Sequence, residues 1–319
     1  MKPKVLVTRK IFPEVLTYLE EHADIEGGRS AAALSRQELK KRLGDKEGLL
    51  CLLVDRIDRE IISAAPRLRI IANCAVGTDN IDLEWTRQRG ILVTNTPDVL
   101  TEATAELTWA LILAVARKIP QADRFTREKR FRGWALDLFL GRELGGRRLG
   151  IIGLGRIGRS VAAIARAFRM EVVYYDRHPL ADEDEAALGT RYLPLDDLLA
   201  SSDVVSIHAS LNPETDRLIS ADKLKLMKRS AILVNVARGP IVDEKALADA
   251  LSRKELWGAG IDVYQREPEV EACLLDLDNV VLLPHIGSAT SETRRKMAMT
   301  AAINLVQGLR GEPPDNIVR

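Results

Sequence analysis

Four polar side chains stand directly behind short apolar runs in the second half of this 319-residue chain: His208 in "DVVSIHAS", Arg238 in "AILVNVAR", Asp262 in "GAGIDV" and His285 in "NVVLLPH". Glu267 follows Asp262 closely. If the apolar runs are strands of a doubly wound sheet, these side chains sit at the carboxyl ends, where such sheets collect ligands. A guanidinium there holds a carboxylate in a two-point grip or closes a structural ion pair. A histidine there passes a proton near neutral pH or is a satisfied core histidine. Of the four histidines, His22 ends an amphipathic helix and His178 lies in a loop beside a strand end. His208 and His285 remain, and spacing does not choose between them.

The element that must bring a cofactor to these groups is the stretch "GRRLGIIGLGRIGRSVAA" from Gly146 to Ala163. Gly153, Gly155 and Gly158 form G-x-G-x-x-G between a strand-like and a helix-like segment. The first glycine permits a tight turn, the second lets backbone approach a pyrophosphate, and the third allows close packing of helix on strand. The helix N-terminus meets the phosphate charge with unpaired N–H groups. Asp176 ends the next strand, "EVVYYD", at about the expected 20-residue separation, and can accept bonds from a ribose 2′-hydroxyl. A solvated strand-end acid is the alternative reading. Asp176 would repel a 2′-phosphate, which favours NAD over NADP, while Arg177 and His178 beside it blunt that preference and leave NADP possible.

A chain of this length exceeds one compact domain, so two domains are expected. Up to residue 100, "KVLVTR", "GLLCLLV", "LRIIANCAV" and "ILVTN" read as buried parallel strands with helices between them. Those helices are "PEVLTYLEEH", "DLEWTRQRG" and "SRQELKKRL", the last with Ser35 and Glu38 at capping-box spacing. Residues 101–119 read as one long helix, apolar on most sides, and mark a domain crossover. The charged segment 120–145 carries Phe125, Phe131, Trp134 and Phe139, which either pack back on their own domain or make a subunit contact. A second β/α series begins with the glycine turn, and "SETRRKMAMTAAINLVQGLRG" is the closing helix.

Lys and Arg number 47 against 46 Asp and Glu, so no basic excess supports nucleic acid or an anionic membrane surface as a partner. Cys51, Cys74 and Cys273 lie far apart, without a disulfide framework or zinc spacing, and no metal ligand set is read. The N-terminus lacks the apolar run of a signal peptide and no stretch is long enough to span a bilayer, so a soluble, cytoplasmic protein is expected.

"GLGRIG", "NVARGPIVDEKAL", "GAGIDVYQREP" and "LLPHIGSAT", in this order, resemble the D-isomer-specific 2-hydroxyacid dehydrogenases; "CAVGTDNID" with "NTPDVLTEATAEL" is closest to the glyoxylate and hydroxypyruvate reductase branch. The resemblance implies an α/β fold of two doubly wound parallel-sheet domains. A Rossmann cofactor domain, 100–285, is inserted into a flavodoxin-like substrate domain formed by 1–99 and 286–319. It implies reduction of a small 2-keto acid, glyoxylate or hydroxypyruvate, to the D-2-hydroxy acid; the aromatic segment around Phe131 and Trp134 suggests a two-fold contact, and a homodimer is expected. Arg238, Glu267 and His285 become the catalytic set, with Glu267 assigned through "REP", and His285 is selected over His208. His285 would donate the proton, Arg238 would orient the substrate carboxylate or carbonyl, and Glu267 would favour the protonated imidazole.

By the same resemblance Thr104, Leu154, Gly155, Arg156, Ile157, Asp176, Arg177, His178, His208, Val236, Ala237, Arg238, Asp262, His285 and Gly287 line the cofactor. Leu53, Val76 and Gly77 join Arg238 and His285 around the substrate. Gln265, Arg266 and Ser210 depart from the family pattern. Phosphite dehydrogenases are similar over the whole chain but carry a lysine where this chain has Val76. Phosphoglycerate dehydrogenases are disfavoured by the missing arginine near Asn73 to Val76 and the absence of a regulatory domain before Arg319. A nicotinamide-sensing co-regulator that uses this fold to bind protein partners is the alternative from another class, disfavoured by the absence of long tails.

Overall fold

A computed structural model describes residues 2–318, which divide into two compact units: the chain up to Leu100 with the chain from Ala289 on, and Thr101–Ser288 between them. These boundaries differ slightly from 99/100 and 285/286. Thr101 opens a helix of the second unit, and the loop after His285 is tied into it through the bonds of Ile286 and Gly287 to Asp262.

The first unit contains the strands Lys4–Val7 (β1), Asp24–Gly27 (β2), Gly48–Leu52 (β3), Ile70–Cys74 (β4) and Leu92–Thr94 (β5), all parallel, in the order β2-β1-β3-β4-β5. This is the flavodoxin-like order. The apolar runs of β1, β3 and β4 are buried on both faces, the pattern of an interior parallel strand. One face carries the closing helix Ser291–Arg310, whose Ala298, Ala301, Ala302 and Leu305 pack with Val5, Val7, Ile70 and Ala72. Ser35 and Glu38 form the expected capping box on the helix Arg36–Leu43.

The second unit contains Arg148–Ile152 (β6), Glu171–Tyr175 (β7), Thr190–Tyr192 (β8), Val204–Ile207 (β9), Ile232–Asn235 (β10), Gly258–Ile261 (β11) and Val280–Leu282 (β12), again parallel. Their order, β12-β11-β10-β9-β6-β7-β8, is the Rossmann arrangement with one strand added, and the order reverses between β6 and β9. β9, β10 and β11 are buried at every position.

The helix expected over 101–119 runs over Thr101–Ala116, and a further helix, Ile119–Arg127, opens the charged segment after it. Thr101–Ala116 buries Ala105, Trp109, Ile112 and Val115, packs on β10 and β11, and ends where Lys118 takes a left-handed φ of 54° ahead of Pro120 in the next helix. Proline at a first helical turn starts a helix well and continues one badly. No helix among the described residues is long and apolar enough to cross a membrane.

Candidate active site

Arg238, Asp262 and His285 leave the carboxyl ends of β10, β11 and β12, neighbouring strands of one sheet, so parallel pairing alone aligns them on one edge. Gly239 follows Arg238 so close to the next loop that a Cβ there would lie 1.9 Å from the Tyr264 carbonyl carbon. Only glycine lets the loop after β10 lie on the loop that carries Glu267. Asn235 at the end of β10 braces the same turn: its side-chain amide donates to the Arg238 carbonyl at 2.9 Å and accepts from the Ala237 N–H at 3.1 Å. Val236 is buried, and Arg238 Nη1 donates to the Ala237 carbonyl at 2.8 Å.

His285 has a left-handed φ of 55°, uncommon for a side chain with a Cβ, and its environment holds it there. Its own N–H donates to the Asp262 carbonyl at 2.9 Å, and the Asp262 carboxylate accepts the next two N–H groups, Ile286 at 2.7 Å and Gly287 at 2.8 Å. Thr104 donates to the Gly287 carbonyl. Burial lifts the Asp262 carboxyl above its usual range, while the two N–H bonds and the His285 charge pull it back. The sequence reading set Asp262 toward the nicotinamide; both its oxygens bind the loop behind His285, so it positions that loop whatever else it meets.

The imidazole Nδ1 of His285 lies 2.9 and 3.1 Å from the two Glu267 oxygens. A carboxylate only accepts, so Nδ1 carries the proton and Nε2 is the nitrogen left for a ligand. Tyr264 N–H donates to Glu267 Oε1 at 3.1 Å. Burial alone would raise the Glu267 carboxyl, but the His285 bond and charge, the Tyr264 N–H and the Arg238 charge hold it below the usual carboxylate value. Arg238, Glu267 and His285 therefore form one electrostatic cluster.

His208 is placed differently. Its Nε2 bonds the Ser206 hydroxyl at 2.8 Å, its Nδ1 is buried without a partner, and burial pushes the imidazole down to about 3. A ring neutral through the physiological range has no proton of an acid catalyst to give. It lies instead at the β6/β9 reversal, where a Cβ on Gly153, whose φ is 92°, would meet Ala209 N at 2.6 Å.

The glycine turn is built for a ligand. A Cβ on Gly158 would lie 2.3 Å from the Gly153 carbonyl oxygen, whereas one on Gly155 would meet nothing within 4 Å. The first is a packing constraint, and the second leaves backbone open at the start of the helix Arg156–Ala165, the approach a pyrophosphate needs. Leu154 N–H donates to Asp176 Oδ2 at 2.9 Å, fixing the acid against the turn, and His178 N–H bonds Oδ1 at 3.3 Å. Ile157 turns inward onto the core. These features fit a dinucleotide.

In the first unit, Leu53 follows β3, and Val76 and Gly77 follow β4. Asn73 donates to the Gly77 carbonyl at 2.9 Å, Asn95 to the Val76 carbonyl at 2.8 Å, and Asn80 to the Leu52 and Asp55 carbonyls at 3.2 and 3.1 Å. Three asparagines thus stiffen the two loops, and sequence reasoning gave them no role. It also passed over Glu244, a buried acid that accepts from the Gln265 N–H beneath the Glu267 loop. An acid opening a helix, as Glu244 does, reads as an ordinary partner of the helix dipole.

The family model for the D-isomer specific 2-hydroxyacid dehydrogenase, NAD binding domain, matches residues 109–287. The glyoxylate reductase of Thermococcus onnurineus is 46% identical over 322 residues, covering 100% of this chain and 96% of its own. A Thermus thermophilus protein of known structure is 45% identical with a TM-score of 0.93, covering 99% of this chain and 100% of that one. The NADPH-dependent glyoxylate/hydroxypyruvate reductase of Sinorhizobium meliloti, solved with NADP and malonate, is 33% identical with a TM-score of 0.87, covering 100% and 97%.

Proposed function

The chain belongs to the D-isomer specific 2-hydroxyacid dehydrogenase family and reduces a keto acid to a hydroxy acid with a nicotinamide cofactor; within that chemistry we propose an NADH-preferring reductase of glyoxylate or hydroxypyruvate that forms the D-2-hydroxy acid. The observation that carries this is the His285–Glu267 pair, whose Nδ1 contact at 2.9 Å presents Nε2 as a proton donor beside Arg238.

The bound nicotinamide supplies the hydride. Arg238 holds the substrate carboxylate or carbonyl, and a forked cation suits two oxygens at once. His285 gives its Nε2 proton to the carbonyl oxygen, and Glu267 favours the charged imidazole before transfer. In the oxidative direction the same nitrogen takes the proton back. Asp262 keeps the His285 loop in place.

The Gly153–Gly158 turn with Leu154, Arg156 and Ile157 takes the pyrophosphate, and Asp176 takes the ribose, which favours NAD. Thr104, Val236, Ala237 and Gly287 line the nicotinamide side, and His208 borders the cleft floor. In the first unit, the asparagine-braced loops that carry Leu53, Val76 and Gly77 present a stiff surface suited to a carboxylate. A keto acid with few carbons suits a site that recognises one carboxylate and one carbonyl.

The second unit leaves Phe131, Trp134, Leu136 and Leu140 exposed at 54, 81, 81 and 60% of their surface, while Phe125 and Phe139 pack edge to face. So concentrated an apolar patch supports a two-fold contact and a homodimer. Three free cysteines suit the cytoplasm as its place of work. Turnover of glyoxylate and hydroxypyruvate with NADH, followed by loss of cofactor absorbance, tests the reading. An absence of turnover with either acid and either nicotinamide cofactor would overturn it in favour of a co-regulator.

A further inference from the structure

Arg177 is the residue best placed to accept a 2′-phosphate, since it follows Asp176 directly at the end of β7. Its guanidinium is already engaged: Nη1 donates to Glu214 Oε2 at 2.9 Å. Glu214 belongs to neither the glycine motif nor its acidic partner; it comes from the loop after β9, 37 residues away.

That loop is a stiff mount. Asn212 Oδ1 accepts the N–H groups of Glu214 at 2.9 Å and Thr215 at 3.0 Å. The Thr215 hydroxyl accepts from the Asn212 N–H at 2.8 Å and donates to the Ser210 carbonyl at 2.7 Å. Ser210, where the family often has proline, thus closes the loop through its carbonyl, which either residue would supply. Asp176 is equally fixed through Leu154. Arg177 therefore has a carboxylate before it in the chain, Asp176, and another against its guanidinium, Glu214, with His178 beyond it.

The geometry points to Glu214 as a specificity-determining residue for the cofactor. It occupies the Arg177 guanidinium and places a second negative charge where a 2′-phosphate would lie, so the chain discriminates against NADP from outside its dinucleotide motif. This rests on the proposed cofactor site and assigns a further residue to it. A phosphate reaching Arg177 must share the guanidinium with Glu214, which already takes Nη1, and must approach a second carboxylate to do so. Both side chains are about two-thirds exposed, at 64 and 67%, so solvent screens the pair and the effect is moderate.

The test uses adenosine fragments, 2′,5′-ADP and 5′-AMP, titrated by calorimetry into the wild-type protein, Glu214→Gln, Arg177→Ala and the double variant. Glu214→Gln should raise the affinity ratio of 2′,5′-ADP to 5′-AMP by roughly threefold to fivefold, and in the Arg177→Ala background the same change should raise it less than about twofold. The NADPH to NADH ratio in kcat/KM should move the same way. An unchanged ratio in Glu214→Gln, or an equal gain in both backgrounds, would overturn the inference while leaving the cofactor site intact. Failure of the wild-type protein to bind either fragment would remove the site itself.

Discussion

If His285 is the proton donor and Glu267 acts only through it, as proposed, His285→Ala should lower kcat for reduction by about two to four powers of ten. Glu267→Gln is milder: the amide oxygen can still accept from Nδ1, but the charge is gone. A bond to a charged group contributes roughly 1.5–3 kcal/mol and a neutral one about 0.5–1.5. The difference, about 1–1.5 kcal/mol, corresponds to a loss in kcat of roughly fivefold to tenfold near neutral pH. Both side chains are a quarter exposed, at 25 and 26%, so screening places the value toward the lower end. The His285 bond and charge hold the Glu267 carboxyl below its usual range, so its negative charge is present throughout the neutral region. In the His285→Ala background, Glu267→Gln should change kcat by less than about twofold, because its partner is absent. The assay is steady-state reduction of glyoxylate with NADH near neutral pH for the four proteins. Near-normal turnover in His285→Ala, or multiplicative losses in the double variant, would refute the assignment.

Arg238→Lys keeps the charge but loses the fork, so KM for the keto acid should rise and kcat should fall together in steady-state kinetics. Asp176→Ala should shrink the NADH over NADPH preference in kcat/KM; an enlarged preference would contradict its place at the ribose. Wild-type protein at micromolar concentration should run at twice the chain mass in light scattering, and Trp134→Glu with Phe131→Glu should shift it toward the monomer. His208 gives a stability prediction of definite sign. Burial pushes its folded value down to about 3 from the ordinary 6.5, so the unfolded chain binds the extra proton between them and stability drains as pH falls through that window. The slope from this group is up to roughly 1.4 kcal/mol per pH unit. His208→Gln should flatten that fall in denaturant titrations at pH 6 and pH 4, and an unchanged slope would show that the ring is not held neutral.

Strands with strong apolar runs are legible in the sequence because burial on both faces admits little else, as "AILVNVAR" and "GAGIDV" show. The two strands that escape notice are edges. Asp24–Gly27 is "DIEG", acidic and half-covered, paired only to β1, and Thr190–Tyr192 is a three-residue strip beside β7. An edge strand needs no apolar run, and charge on it discourages further pairing, so its signal is weak by construction. The helix Ile119–Arg127 escapes for a different reason: it lies in the charged segment and has no buried residue to mark a core-facing stripe.

The polar residues of the site are visible as strand-end exceptions to hydrophobic runs, but the sequence leaves His208 and His285 equivalent. What separates them is an environment assembled by distant segments: one ring is buried beside a lone hydroxyl, while the other meets a carboxylate 18 residues earlier in the chain. The groups that hold His285 are less visible still. Asp262 reaches across 24 and 25 residues to the two N–H groups after the histidine, and Gly239 is required by contact with Tyr264 rather than by its own turn. Such bonds depend on the register of β10, β11 and β12, which no local spacing encodes. A left-handed histidine is costly on its own, so its persistence at φ 55° is the product of these long-range bonds. The proposed proton donor, His285, is thus marked in the sequence by type, and its backbone is held by a hydrogen-bonded scaffold that only the folded sheet brings together.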